Sequence, residues 1–355
     1  MITGNLKSSY AADESIFDNR NKWAFFIGAL LLLTGIALFA NDYVVLVGCK
    51  MGILLIAVVG VNVVTGYTGL ISLGHAAFVA VGAYAVTIFH ALAGPVVPEG
   101  LLTLLAIIFA VAVSAIVGLI VGLPSVRIKG LYLAVATLSA NFIVIFLIEQ
   151  DLFAPWTGGM VGVDTPSANL LGWQVDTRRE NFILIAVFSV LALLTVQNLF
   201  RTRVGRAFIA IRDRDYSAEI MGISLLRYKL TSFAISAALC GLSGALFAYF
   251  FARILPEQFE LALSLELVAA LIVGGMGRTM GPVFGVIVIV MVPEVIKALF
   301  GVVTGGEANN AQLLAPLQEI AFGLLIVLFL LFEPLGLNHM ADRALRAMNR
   351  WPFAR

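Results

Sequence analysis

Few residues of this chain can do chemistry, and most of them are islands in apolar sequence. Glu266, Glu294, Lys297 and Glu319 stand inside long hydrophobic runs. An ionised side chain is costly there and marks a substrate or ion route, a proton relay or an internal pair. Glu294 and Lys297 are three residues apart, close enough on a helix to neutralise one another, so that pair reads as structural. Glu266 has no local partner of that kind. His75 lacks a second His, Cys or acid at ligand spacing, so taken alone it reads as a packing residue and no metal site is expected. Cys49 and Cys240 are far apart in apolar stretches and read as small hydrophobes. No GxxxxGK[ST] phosphate loop, GxSxG elbow or HExxH pair occurs. The chain is therefore expected not to be an enzyme and to need no cofactor, and any ATP hydrolysis must reside in partner subunits.

Three segments depart from plain apolar helix. In Asn62–Tyr84, glycines at 66, 69, 74 and 82 interrupt a long span, with Asn62, Thr65, Tyr67, Thr68, Ser72 and His75 placing hydrogen-bonding groups among them. Unwound backbone at membrane depth is tolerated where protein or a water-filled cavity surrounds it, which makes these residues and Glu266 candidates to line a translocation path. Close helix packing through small residues accounts for such glycines equally well. In RTRVGRAFIAIRDRDYSAEIMGISLLRYK (201–229), Val204, Ala207, Phe208 and Ile211 recur at helical spacing, with Arg203, Arg206, Arg212 and Arg214 on the other faces. That pattern predicts an amphipathic helix outside the bilayer, followed by a second short helical piece that Glu219 and Gly222 close. It suits a docking helix for a cytoplasmic partner, its apolar face filling a groove, or a basic segment on anionic headgroups. In VGGMGRTMGPVFG (273–285), Gly277, Gly281 and Gly285 repeat at four-residue intervals, a pattern for close helix approach rather than for a dinucleotide.

The elements that must position these residues are membrane helices. The chain is 61% hydrophobic and 12% charged, against about 45–50% and about 25% for soluble domains. Its mean hydropathy is +1.02. Apolar stretches at 23–40, 44–64, 76–93, 101–123, 131–149, 181–199, 229–252, 264–277, 280–300 and 314–333 predict an all-α polytopic bundle of about ten membrane helices. The stretches 264–277 and 280–300 read either as two spans or as a broken, re-entrant pair. With the amino terminus inside, most of the 22 basic residues fall in inner segments, so both termini are expected in the cytoplasm. The expected layout is a cytoplasmic arm (1–22), a transmembrane domain (23–333) with an outer cap (150–180) and an inner segment (201–228), and a cytoplasmic tail (334–355). Residues 1–22 are polar with mixed charge, so the run from Trp23 reads as an anchor rather than a cleaved leader.

NVVTGYTGLISLGHAAFVAVGAYA (62–85), GLYLAVATL (130–138), TGGMVGV (157–163), GRAFIAIRDRDYSAEIMGISLLRYKLTSFAISA (205–237) and GGMGRTMGPVFG (274–285) together resemble the inner-membrane permease of branched-chain amino acid ABC transporters, in its longer type. The chain carries Met160 and Val161 where the family pattern TGGxNG continues with Asn. The resemblance implies a second, shorter permease, two cytoplasmic ATPase subunits and a periplasmic solute-binding protein as partners. It also implies that Gly205 to Gly222 is the ATPase-coupling region, with Gly205, Arg206, Arg212, Asp213, Glu219 and Gly222 as its key residues. Urea- and amide-type permeases share much of the pattern, and an ion-coupled carrier is the rival from another class.

Overall fold

The computed structural model describes residues 20–128, 130–150, 153–170, 172–303, 311–333, 336–340 and 343. The arm up to residue 19, most of the tail and the side chain of Glu319 lie outside the described residues. The helices are α1 (Arg20–Phe39), α2 (Asp42–Val61), α3 (His75–Ala93), α4 (Glu99–Gly122), α5 (Leu131–Glu149), the single turn α6 (Ala154–Thr157), α7 (Arg178–Leu199), α8 (Arg203–Ile220), α9 (Leu225–Phe251), α10 (Leu261–Gly274), α11 (Gly281–Val303) and α12 (Ala311–Phe332). A π-helical turn, Asn62–Tyr67, extends α2.

The fold is the all-α polytopic membrane architecture that the composition predicts. Among the described residues 7 helices are long and apolar enough to cross a membrane: 42–67, 75–93, 99–125, 131–149, 178–199, 225–251 and 281–299. Of the other three predicted stretches, α10 has 14 residues, about 21 Å at 1.5 Å per residue against a hydrocarbon core of about 30 Å. The other two lie in α1 and α12, whose apolar parts Ile27–Phe39 and Pro316–Phe329 are counted over the described residues alone.

Helix α9 is the central post, packed against α4, α3 and α2. Small residues set its distance from its neighbours, as expected where lipid supplies no hydrophobic drive between helices. A Cβ on Gly82 of α3 would strike the backbone of Gly241 in α9, and one on Gly244 would strike the carbonyl of Val79. Cys49 and Cys240 are fully buried and unpaired, in keeping with a packing role.

The 150–180 stretch forms a folded cap. Strand β1 (Val163–Asp164) pairs antiparallel with β4 (Arg253–Ile254), and β2 (Ala168–Leu170) with β3 (Trp173–Val175). Arg253 closes the first pair by donating to the carbonyl of Val161 at 3.1 Å, and the Thr165 hydroxyl ties the cap to α9 by donating to the carbonyl of Ala248 at 2.7 Å. A capping box of Thr177 and Glu180 then starts α7.

Candidate functional site

The three anomalous sequence segments meet at one place. Asn62, the first residue of the π turn, reaches the turn between α10 and α11 with both ends of its amide: Oδ1 accepts from the backbone N–H of Gly277 at 2.9 Å, and Nδ2 donates to the carbonyl of Arg278 at 3.0 Å. Tyr67, its last residue, places its hydroxyl 3.2 Å from that of Thr279 and stacks its ring on Phe200. From the third side Arg212 of α8 donates to the carbonyl of Gly66 at 3.0 Å. Side chains at the surrounding glycines would fill the arginine's seat: a Cβ on Gly69 would lie 2.8 Å from Arg212 Cγ, and one on Gly277 would strike Nη1. Gly277 also has φ +73°, a conformation that L side chains rarely adopt. A widened helical turn frees carbonyls from the regular ladder, which is why such turns recur at functional sites; here the guanidinium takes one of them.

Helix α8 is two pieces joined by a kink, as the sequence predicts, with extended backbone at Arg214 (φ −156°, ψ 99°). Its apolar stripe, however, is spent on the chain's own core. Ala207, Phe208 and Ile211 are buried, with Phe208 between Phe200 and Tyr228. Gly205 is buried because a Cβ there would strike the backbone at Phe200, the turn out of α7. The groove-filling role expected of this stripe is therefore not open to it. What α8 offers outward is its second piece: Tyr216, Ile220 and Met221 are 74%, 77% and 83% exposed. Glu219 is exposed on the same piece, Arg206 is exposed on the first piece, and Asp213 pairs with Arg212 at 3.4 Å. Gly222 closes α8 with φ +85°, its N–H donating to the carbonyl of Glu219 at 2.9 Å.

The remaining candidates are placed elsewhere. The Thr68 hydroxyl bonds back to the carbonyl of Val63 at 2.8 Å, and the Thr65 hydroxyl is buried without a partner. Ser72 and His75 are fully buried in the bundle, with His75 Nδ1 3.3 Å from Ser72 Oγ and Nε2 2.9 Å from Ser236 Oγ. Glu266 joins none of these and lines a separate cavity. Gly281 and Gly285 form the expected tight helix contact, a Cβ on Gly285 striking the carbonyl of Ala270, whereas Gly277 belongs to the turn and not to that face. Glu294 and Lys297 form the predicted pair at 3.1 Å.

Residues 43–330 match the family described as branched-chain amino acid transport system / permease component. The chain belongs to this family. The permease is 30% identical over 314 residues to the high-affinity branched-chain amino acid transport system permease protein LivM of Escherichia coli, covering 82% of this chain and 68% of the relative. It is 25% identical over 335 residues to the probable LivM of Methanocaldococcus jannaschii, 83% and 93% of the two chains. Against the permease protein LivH of the Escherichia coli system it is 25% identical over 291 residues, 79% and 89%. No solved structure matches. A permease of this family is not itself catalytic.

Sequence reasoning missed Phe200, Thr279 and the amide of Gly277 as parts of the site. Only Phe200 carries a signal, an aromatic just before the basic segment.

Proposed function

We propose that this permease forms, together with a second permease, the transmembrane path of an ABC importer for branched-chain or related amino acids, driven by separate ATPase subunits and fed by a periplasmic binding protein. Family membership supports the transport role, and similarity to both LivM and LivH, two permease proteins of one Escherichia coli transport system, supports a paired arrangement. The observation that carries the coupling role is the junction of α8 with the π turn and the α10–α11 turn through Arg212, Gly66, Asn62 and Gly277. A push on the exposed Tyr216, Ile220 and Met221 reaches α2 directly through that junction. Gly205, Arg206, Arg212, Asp213, Glu219 and Gly222 form the ATPase-coupling region in this reading, and Asn62, Thr65, Tyr67, Thr68, Ser72 and His75 border the moving segment. Both termini and the 201–228 segment face the cytoplasm, the 150–180 cap faces outward, and α1, α10 and α12 complete a bundle of about ten membrane helices.

The test is co-purification. Met221→Glu places a charge where an apolar contact is expected and should cut recovery of the ATPase subunits with the tagged permease at least about tenfold, a loss of about 1.4 kcal/mol. Membrane insertion should be unaffected. Full recovery with the variant would remove the docking role of α8.

A further inference from the structure

At their other end α2, α10 and α11, together with Val79 of α3 and Ser243, Phe247 and Phe251 of α9, border a half-open cavity of about 280 Å³. Four charged side chains line it: Lys50 from α2, Glu266 from α10, and Glu294 and Lys297 from α11. Two of the four are already matched, since Glu294 holds Lys297 at 3.1 Å and accepts a hydrogen bond from the Tyr43 hydroxyl. The other two are not. Among the described residues no hydrogen bond or ion pair engages Lys50 or Glu266, although both line the same cavity. An ammonium and a carboxylate thus line one space without closing on each other.

The rest of the wall is mostly apolar, with Ile53, Leu54, Phe247 and Leu263 among its residues, and its one other polar side chain, Ser243, donates to the carbonyl of Ile53 at 2.7 Å. Pro293, also in the wall, has no N–H to give to the carbonyl of residue 289 one turn back, leaving an acceptor on that side. The volume falls just below the ~300–1,000 Å³ of sites for drug-sized ligands, so the occupant is small. A small molecule bearing one cation, one anion and an apolar body meets each of these features at once. We infer that this cavity is a binding site for a zwitterionic α-amino acid with an apolar side chain, Lys50 taking its carboxylate, Glu266 its ammonium, and the apolar wall its side chain. The assignment rests on the proposed amino-acid cargo and adds to it a place and an orientation within this chain. A zwitterionic phospholipid headgroup shares the charges, and the lipid composition of the test below separates the two.

The position suits a transit site. Residue 50 is as far along α2 from Asn62 as residue 266 is along α10 from Gly277, to within one residue, so both charges stand about 16–18 Å from the coupling junction at 1.5 Å per residue. The two helices that hold the zwitterion would be the two that the junction moves.

The complete transporter, reconstituted in nanodiscs of phosphatidylglycerol with and without phosphatidylethanolamine, supplies the test. Leu54→Cys puts a thiol in the cavity wall without touching a charge, and the native Cys49 and Cys240 are buried and contribute little background. Leucine should slow alkylation of this thiol by a small maleimide in both lipids, whereas 4-methylpentanoate, which lacks the ammonium, and 3-methylbutylamine, which lacks the carboxylate, should not. Adding Glu266→Gln should abolish the discrimination against 4-methylpentanoate, and Lys50→Met that against 3-methylbutylamine. Absence of leucine protection in a complex that does import leucine overturns the site while leaving the transport reading intact. A complex that imports no amino acid removes both, and protection by phosphatidylethanolamine alone assigns the cavity to lipid and overturns the proposal. Should the charge variants fail to assemble, the protection pattern of Leu54→Cys alone decides.

Discussion

The two ends of α2, α10 and α11 are built on opposite rules. At the junction most contacts run to backbone amides and carbonyls among glycines, with Asn62 and Arg212 as bridging side chains beside the Tyr67–Thr279 hydroxyl pair, and among the described residues there the Thr65 hydroxyl is the buried side-chain polar group left unmatched. At the cavity the charged groups are side chains, one pair closed and one open. A junction must hold its parts together whatever they do, so its polar groups are matched within the protein. A socket must leave its groups for something else. The contrast teaches that the same helices can be fixed at one end and receptive at the other, so that movement of the first is felt at the second.

The largest expected effect comes from breaking the junction by volume. Gly277→Val places a branched side chain where a Cβ already strikes Arg212 Nη1, at a φ of +73°. ATP-driven uptake should fall to background in proteoliposomes while leucine protection of Leu54→Cys in the resting complex persists. Next is Arg212→Ala, which removes a charge-assisted hydrogen bond worth about 1.5–3 kcal/mol. The Arg212 side chain is 37% exposed, so the lower figure applies, and uptake should drop about tenfold. Arg212→Lys, which keeps the charge but not the planar fork, should recover only part of it. Glu266→Gln sharpens the comparison from the other end, because it should change which molecules are admitted and leave the coupling of ATP hydrolysis to α8 untouched. Gly222→Ala is the mildest. Nothing lies within 4 Å of a Cβ there, so the cost is the left-handed backbone alone, about 1–2 kcal/mol. A lowered melting temperature together with a partial loss of ATP-driven uptake is the expected result.

The membrane fold was legible because length and hydropathy are local properties: the stretches at 44–64, 101–123 and 229–252 each became a long helix. The second short piece of α8 was legible too, but the position of the kink was not, since Arg214 reads in the sequence as one more residue of the polar face. The junction was visible as three anomalies but not as one site. Its hydrogen bonds join residues 146, 215 and 216 positions apart, and no periodicity reports contacts at that range. The direction of the α8 stripe was misjudged for a related reason, since amphipathicity says that a face is covered and not by what. Lys50 stood in plain view as a lone cation in an apolar run, yet only the packing of α2 beside α10 makes it the counterpart of Glu266.

The account stands or falls on whether the junction drives the cavity. In the assembled transporter, the alkylation rate of Leu54→Cys should change severalfold when ATP is added, and Arg212→Ala should erase that change while leaving the rate without ATP as it was. An ATP-dependent change of the same size in the Arg212→Ala complex would contradict it.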